Sequence, residues 1–292
     1  MTVDIEQYQV CDPESGPYGI TAGPDGAVWF TLVHGGRIGR FQPGGEGVTH
    51  ELNLKSGPSV IAAGPDGALW FTEYHGHRIG RMTTGGELTE FEPTTPGSGP
   101  YGIAAGPDGA LWFTQLHADR IGRITTAGVI IEFPLPVSGA FPSAICAGPD
   151  GGMWFTLNQA NAVGRISVDG DIAIHPLPTD AAGPVGMTAG ADGAVWFVEI
   201  AAGQIGRITP DGVVREFPLP DRAARPHAIT AGSEGALWFT EWGANRIGRI
   251  TPDGGIDRYE LPGSEPHGIA LGSDGALWVA LESGHLAAVR RG

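Results

Sequence analysis

Seven tryptophans recur along the chain at an almost constant interval. Each lies in a string close to A-G-P-D-G-A-x-W-F-T, and together they are Trp29, Trp70, Trp112, Trp154, Trp196, Trp238 and Trp278. The intervals of 41, 42, 42, 42, 42 and 40 residues mean that seven such units account for nearly all of the 292 residues. A fixed period of this length indicates repeated supersecondary units that bury their apolar faces against one another. We therefore expect one repeat domain over residues 1–292.

Each unit has the pattern of four short strands. In the third unit, YGIAAG is followed by a P-D-G turn, ALWFTQL, a polar turn, RIGRIT, a glycine turn and VIIEFPL. These runs are rich in β-branched and aromatic residues and are bounded by Gly, Pro and Asp, which is typical of strands joined by tight turns. Four strands in a unit of about 42 residues predict an all-β, seven-bladed β-propeller.

The two ends of the chain predict how the ring closes. The seventh unit stops after HLAAVRRG, which aligns with the third strand of the other units, so its outer strand is missing. The sequence IEQYQV at residues 5–10 has the pattern of a strand and could supply it. We expect the N-terminal segment to complete the last blade, because this pairing would hide the sheet edge.

Composition and charge exclude several classes of protein. Gly 49 and Pro 24 make up a quarter of the chain, which the period explains as turns. Seventeen basic and 32 acidic residues give a formal charge of −15, which opposes binding to nucleic acid or to an anionic membrane. The residues at the start of the sequence lack the apolar core of a signal peptide, and we expect neither a membrane-spanning segment nor a disulfide framework. We expect a cytoplasmic monomer.

One repeat position differs between units in a way that suggests a site. It lies eleven residues before each repeated tryptophan and holds, in order, Tyr18, Ser59, Tyr101, Ser143, Val185, His227 and His267. These residues should surround one mouth of the central channel. A single histidine in a strand is usually structural, but two at one repeat position in neighbouring blades favour a binding or catalytic role. Tyr18 belongs to the same sector, because blade 1 adjoins blade 7 in a closed ring.

Acidic residues also gather in the seventh unit. Glu265 lies two residues before His267, and Glu282 lies on the turn that follows Trp278. The acids of other units, Glu73, Glu199 and Glu241, lie three residues after their tryptophans, whereas Glu282 lies four residues after Trp278. Two carboxylates with few other ligands would suit Mg²⁺, which keeps several waters. The alternative for each is a solvated loop acid.

Other side chains on the same turns give weaker signals. Trp242 is the one tryptophan outside the repeated series, and it forms either an aromatic wall for a ligand or packing between loops. The histidines on these turns could shape the rim, although solvated turn residues are the favoured interpretation; they are His34, His75, His77 and His117.

At these residues the chain resembles the virginiamycin B lyase (streptogramin B lyase) family. The resemblance covers the full length and is carried by the repeated strings and by four local motifs: EPHGIA at 265–270, PHAIT at 226–230, PYGIT at 17–21 and ALES at 280–283. It implies a seven-bladed propeller that linearises type B streptogramins, which are cyclic depsipeptides. It also implies an Mg²⁺-dependent elimination that breaks the threonyl ester without adding water.

The resemblance also implies roles for individual residues. His267 would be the general base, Glu265 and Glu282 would hold Mg²⁺, and His227 would contact the substrate near its ester. Tyr18 would help to shape the pocket, with Tyr101 and Trp242 as further candidate substrate contacts. Blade 7 departs from the repeat beside Glu282, since it reads WVAL and HLAAV where other blades read WFT and RIGRI.

Two other functions remain open from the residues alone. A metal-dependent propeller lactonase or esterase would use the same carboxylates to activate water. A propeller that only binds a ligand would carry no chemistry at all.

Overall fold

A computed structural model describes residues 2–45 and 47–292 of the chain. It contains seven four-stranded antiparallel sheets. The chain begins with β1 (Val3–Gln9), which belongs to the last blade. Blade 1 comprises β2 (Pro17–Ala22), β3 (Val28–Leu32), β4 (Arg37–Phe41) and β5 (Val48–Glu51). Blade 2 comprises β6 (Pro58–Ala63), β7 (Leu69–Glu73), β8 (Arg78–Met82) and β9 (Leu88–Phe91).

The next three blades repeat this order. Blade 3 comprises β10 (Pro100–Ala105), β11 (Leu111–Gln115), β12 (Arg120–Ile124) and β13 (Ile130–Pro134). Blade 4 comprises β14 (Pro142–Ala147), β15 (Met153–Leu157), β16 (Ala162–Ile166) and β17 (Ile172–Pro176). Blade 5 comprises β18 (Pro184–Ala189), β19 (Val195–Glu199), β20 (Gln204–Ile208) and β21 (Val214–Pro218).

The last two blades complete the ring. Blade 6 comprises β22 (Pro226–Ala231), β23 (Leu237–Glu241), β24 (Arg246–Ile250) and β25 (Ile256–Glu260). Blade 7 comprises β26 (Pro266–Leu271), β27 (Leu277–Leu281) and β28 (His285–Arg291), together with β1. Two single-turn 3-10 helices, Pro13–Ser15 and Trp242–Ala244, interrupt the loops. Across the described residues, no helix is long and apolar enough to cross a membrane.

The N-terminal strand closes the ring as the sequence predicts. β1 pairs with β28 in antiparallel register from Val3 opposite Arg291 to Gln9 opposite His285, so the strand begins two residues earlier than expected. The inner strand of blade 7 packs against the inner strand of blade 1, which completes the circle. The expectation of a seven-bladed propeller whose last blade is completed by the N-terminal segment is confirmed.

The repeated sequence string explains how the second strand of each blade begins and how its tryptophan is buried. In blade 3, Gly109 takes the positive φ of 73° that the P-D-G turn requires. This turn brings Asp108 under the tryptophan, where Oδ1 accepts a hydrogen bond from Trp112 Nε1 (3.1 Å) and Oδ2 accepts one from Arg123 Nε (2.6 Å). The Trp112 ring is fully buried and stacks on Phe133 of the outer strand. The same bond from an aspartate to the indole N–H recurs in blades 1, 2, 4, 5 and 7, so these repeats satisfy the indole while packing the apolar core.

Two histidines without a functional signal belong to this scaffold. His50 and His175 stack on Trp29 and Trp154, at the place that Phe133 occupies in blade 3. They are therefore structural partners of the repeated tryptophans.

The inner strands surround a largely apolar central cavity of about 230 Å³. The loops that join one blade to the next meet the turns between second and third strands at one face of the ring. A backbone hydrogen bond fixes this meeting in each blade; in blade 3 it runs from Leu116 N to Gly99 O (2.9 Å). The residues that differ between blades are therefore collected at one mouth of the channel.

Candidate active site

Blade 7 places two glutamates on hydrogen-bonded neighbouring segments. Glu265 precedes the inner strand and Glu282 begins the turn after the second strand. The backbone N–H of Glu282 donates to the carbonyl of Glu265 (3.1 Å), which is the same bond that joins these two positions in the other blades. The repeat geometry therefore brings the two predicted metal ligands together at the mouth.

Glu265 occupies a backbone position that favours glycine. Its φ is 56°, and blades 1, 2, 3 and 5 have Gly16, Gly57, Gly99 and Gly183 at the equivalent place. The Glu265 N–H donates to Asn245 Oδ1 (3.0 Å), which holds this left-handed residue in place. The exposed carboxylate of Glu265 is thus carried by a backbone that the neighbouring turn of blade 6 constrains.

His267 lies in a β-bulge of the inner strand. The register between β26 and β27 shifts between Pro266 and Ile269, and bulges of this kind redirect side chains. Thr240 of blade 6 donates its hydroxyl to the His267 carbonyl (2.9 Å) and accepts a hydrogen bond from Ala228 N (3.0 Å). One threonine therefore fixes the backbone beside both His267 and His227.

Glu282 lies between two histidines. Its Oε1 lies 2.7 Å from His34 Nε2 and its Oε2 lies 2.5 Å from His267 Nε2. Partial burial raises the pKa of Glu282, but the hydrogen bonds from His34 and His267 outweigh it and the pKa is lowered. An ionised carboxylate only accepts hydrogen bonds, so both histidines donate from Nε2.

This arrangement defines the protonation state of His267. Burial lowers the pKa of His267, although the hydrogen bond and charge of Glu282 oppose the shift. The ring is therefore neutral at neutral pH, with its proton on Nε2 and its lone pair on Nδ1. Nδ1 is buried and has no hydrogen-bond partner among the residues that the structure describes. A neutral histidine is suited to act as a base near pH 7 once the nitrogen that carries its lone pair can reach the substrate.

Tyr18 and His227 pack directly against His267. The Tyr18 ring centroid lies 4.5 Å from that of His267, and the His227 ring lies 4.8 Å from it. The Tyr18 hydroxyl lies 3.3 Å from His227 Nε2 and makes a short hydrogen bond with the Tyr101 hydroxyl. Gly268 permits this approach, because a Cβ there would lie 2.5 Å from the Tyr18 carbonyl oxygen. Burial, together with the neighbouring His267, lowers the pKa of His227 to about 3, so its ring is neutral.

Trp242 forms one wall beside this cluster. Its ring centroid lies 6.2 Å from that of His267, and the Arg225 guanidinium lies 5.5 Å from the centre of the indole ring. The indole Nε1 is buried without a hydrogen-bond partner. Trp242 occupies the same repeat position as Glu282, so both side chains project from the turn at the mouth.

The structure brings the predicted residues together, except that Tyr101 reaches the cluster only through Tyr18. It also adds His34, which sequence reasoning left as a turn residue. The only signal for His34 is its position five residues after Trp29, where blades 2 and 3 carry His75 and His117.

The remaining acids and histidines on this face have other partners. Glu73, Glu199 and Glu241 end their second strands and are fully buried inside their blades. His117 Nε2 lies 2.8 Å from the Tyr74 hydroxyl, and His77 Nδ1 accepts a hydrogen bond from Gly99 N (3.2 Å). These side chains are separate from the blade 7 cluster.

The donor set at the mouth fits a magnesium ion better than a tightly caged metal. Across the described residues, no group of three His, Cys, Asp or Glu side chains could hold a metal ion. Glu265 and Glu282 provide two oxygen donors on adjacent segments, and Mg²⁺ is commonly held by one or two carboxylates with water completing its shell.

Comparison with known proteins identifies one matching family. The model of the virginiamycin B lyase family matches residues 3–289. The chain belongs to the virginiamycin B lyase family. It is 67% identical over 95 residues to a virginiamycin B lyase of Saccharopolyspora erythraea, a match that spans 32% of this chain and 32% of that protein.

Solved structures of virginiamycin B lyases have the same fold over their whole length. A streptogramin B lyase structure has a TM-score of 0.95 and 45% identity, covering 99% of this chain and 97% of that chain. A catalytically inactive histidine-to-alanine variant of the Staphylococcus aureus virginiamycin B lyase, solved with quinupristin, has a TM-score of 0.95 and 43% identity. That comparison covers 99% of this chain and 100% of the other.

Proposed function

We propose that the protein is a lyase that inactivates type B streptogramins by opening their ring at the threonyl ester, in an Mg²⁺-dependent elimination. The observation that carries the proposal is the neutral His267, held by an ionised Glu282 beside Glu265 at the mouth. Family membership supports the substrate class, since the related Staphylococcus aureus structure contains quinupristin.

The reaction requires a base and no water. His267 removes the α-proton of the threonyl residue, and the electron pair of that C–H bond forms the Cα=Cβ double bond. The Cβ–O bond breaks, and its electron pair leaves with the oxygen as a carboxylate. Glu265 and Glu282 would hold Mg²⁺, which when bound would supply a Lewis acid to stabilise negative charge developing on the substrate.

His267 must first be released from Glu282. A proton can be accepted only by a nitrogen with a lone pair, and Nε2 currently donates to Glu282 while Nδ1 is buried. His267 is therefore held in the tautomer whose Nε2 carries the proton and cannot accept another. Proton abstraction at Nε2 requires that Glu282 moves away and that the ring proton occupies Nδ1.

Tyr18, His227 and Trp242 form the surroundings of the base. Burial raises the pKa of Tyr18 and lowers that of His227, so both side chains are uncharged hydrogen-bonding groups at neutral pH. Their rings and the Trp242 ring surround His267 at centroid distances of 4.5 to 6.2 Å. Such a site orients a substrate ester while limiting the access of water, which favours elimination over hydrolysis.

Mass spectrometry after incubation with quinupristin and Mg²⁺ tests the proposal. Elimination opens the ring at unchanged mass and altered retention, whereas hydrolysis adds one water and would identify a lactonase or esterase. Unchanged mass and retention would contradict both reactions and favour a binding propeller. We also propose a cytoplasmic monomer, which cell fractionation and light scattering test.

His267→Ala should abolish linearisation while leaving the Tm unchanged within a few degrees. His175→Phe is the matched control, because phenylalanine stacks on the equivalent tryptophan in blades 2, 3 and 5. Full activity in His267→Ala would exclude this residue as the base.

A further inference from the structure

A cleft separates the rim loops of blades 6 and 7. This blade 6–7 cleft has a volume of about 570 Å³, and its lining includes Arg225, Trp242, Asn245, Ser264 and Glu265. It adjoins the proposed reaction centre, because Trp242 lies beside His267 and Glu265 is one of the two carboxylates described above. The cleft therefore opens next to the bond that the proposed reaction breaks.

The two sides of the cleft carry opposite charges at equivalent positions. Arg225 precedes the inner strand of blade 6 as Glu265 precedes that of blade 7, and both have left-handed backbones, with φ of 51° and 56°. Most other blades have glycine at this position. Arg225 and Glu265 thus both have strained backbones at positions that favour glycine. Strain of this kind indicates that the two residues have a functional role in addition to a structural one.

The Arg225 guanidinium is oriented but not neutralised by the protein. It lies over the Trp242 ring at 5.5 Å, and within the described part of the chain it has no salt bridge. Arg246, on the same face of blade 6, instead contacts Asp221 and Glu241 at 2.7 Å. Stacking on an indole leaves the edge of a guanidinium free to donate hydrogen bonds in its own plane. Arg225 thus presents its donors to the cleft.

The proposed reaction produces a carboxylate, which is the kind of anion that could pair with Arg225. Breaking the Cβ–O bond converts the ester acyl group into a carboxylate beside Glu265 and Glu282, in a chain of net charge −15. The Mg²⁺ that Glu265 and Glu282 would hold balances their own two charges, so a new negative charge there needs a further cation. A guanidinium is the side chain best matched to a carboxylate, because it donates two parallel hydrogen bonds.

We propose that the blade 6–7 cleft binds the carboxylate released by the elimination, with Arg225 as its bidentate partner. This inference rests on the proposed function. Arg225 contacts the acyl oxygen of the intact ester more weakly, because that oxygen gains its full charge only when the Cβ–O bond breaks. The interaction therefore strengthens as the bond breaks and favours the departure of the leaving group.

Binding measurements in a His267→Ala background separate the carboxylate from the intact ring. Isothermal titration uses two probes: cyclic quinupristin, and its ring-opened acid prepared by alkaline hydrolysis of the ester. Adding Arg225→Gln should weaken binding of the acid by about 10- to 100-fold, since hydrogen bonds between charged groups contribute roughly that much. Binding of the cyclic compound should change by less than about threefold, since it lacks the released carboxylate.

Arg222→Gln is the matched control, because Arg222 is an exposed arginine of the same loop that does not line the cleft. It should leave both affinities unchanged, and Arg225→Lys should retain part of the affinity for the acid. Equal weakening of both probes by Arg225→Gln, weakening of neither, or failure of the parent His267→Ala protein to bind the acid would each overturn the proposal. None of these measurements depends on turnover. A wild-type protein that leaves quinupristin intact would therefore contradict the proposed function separately.

Discussion

A glutamate ends the second strand of blade 5, and another glutamate directly follows the second strand of blade 7. The two glutamates differ by one position in the repeat. Glu199 is the third residue after Trp196, and Glu282 is the fourth after Trp278. Successive side chains of a strand point to opposite faces, so Glu199 is fully buried inside its blade while Glu282 lies on the turn at the mouth. A shift of one residue moves a carboxylate from the scaffold to the site.

The two carboxylates also have opposite electrostatic environments. Burial raises the pKa of Glu199 to about 7, although a hydrogen bond from Gln204 partly offsets it. Glu282 has a lowered pKa because His34 and His267 both donate to it. The comparison shows that the repeat position sets both the burial and the hydrogen-bond partners of the acid, and that these shift the pKa of the two glutamates in opposite directions.

Replacing each carboxylate by its amide gives the largest expected contrast. Glu282→Gln should lower kcat by about 10²- to 10³-fold, because it removes one of the two carboxylates that would hold the charge-stabilising Mg²⁺. Glu199→Gln should keep nearly full activity, since its side chain lies outside the mouth. Steady-state kinetics with quinupristin measure both. A similar loss of kcat in both variants would contradict the assignment of Glu282 to the site and of Glu199 to the scaffold.

A smaller effect is expected at His34, the second partner of Glu282. His34→Ala should weaken Mg²⁺ binding by roughly tenfold, because residues that orient a metal ligand typically contribute about that much. Isothermal titration with Mg²⁺ alone measures this, and His34→Gln should restore part of the affinity because it keeps an N–H donor.

His75→Ala is the matched control for His34→Ala. His75 occupies the same repeat position in blade 2 but has no contact with Glu282. If His34→Ala binds Mg²⁺ as the wild type does, or if both variants bind it equally weakly, His34 has no positioning role.

The smallest effect concerns stability and belongs to blade 5. Because the pKa of Glu199 is raised in the folded state, folding is favoured by its protonated form. Stability contributed by this group is complete below about pH 4.5 and is lost as the pH rises towards 7. Glu199→Gln should therefore raise the free energy of unfolding at pH 8 by about 1 kcal/mol, or a few degrees in Tm.

At pH 4.5 the same variant and the wild type should unfold at the same temperature. Blade 3 supplies a natural precedent, since Gln115 occupies this repeat position and is fully buried. A gain of equal size at both pH values would show that the ionisation of Glu199 is not its cause.

The fold could be predicted from the sequence because its determinants are local and repeated. The tryptophan interval, the P-D-G turns and the missing outer strand of the seventh unit together specify the blades and the role of β1. The sector that contains the site could also be predicted, because the other blades show which residues are usual at the positions of His227, Glu265 and His267.

Two features of the site could not be predicted in this way. Sequence alone does not show that Glu73, Glu199 and Glu241 are buried inside their blades, since the last residue of a strand and the first of a turn look alike in sequence. The contact between His34 and Glu282 joins residues 248 positions apart across the closure of the ring, where local patterns carry no information.

The pairing of β1 with β28 links the proposed chemistry to the order of synthesis. Of the 28 strands, β1 leaves the ribosome first and β28 last, and they meet in the sheet that carries Glu265, His267 and Glu282. The other six blades can assemble while this sheet is still incomplete, because each is made from one continuous segment. A nascent or truncated chain would thus resemble the finished protein over most of its mass and still be unable to act on an antibiotic.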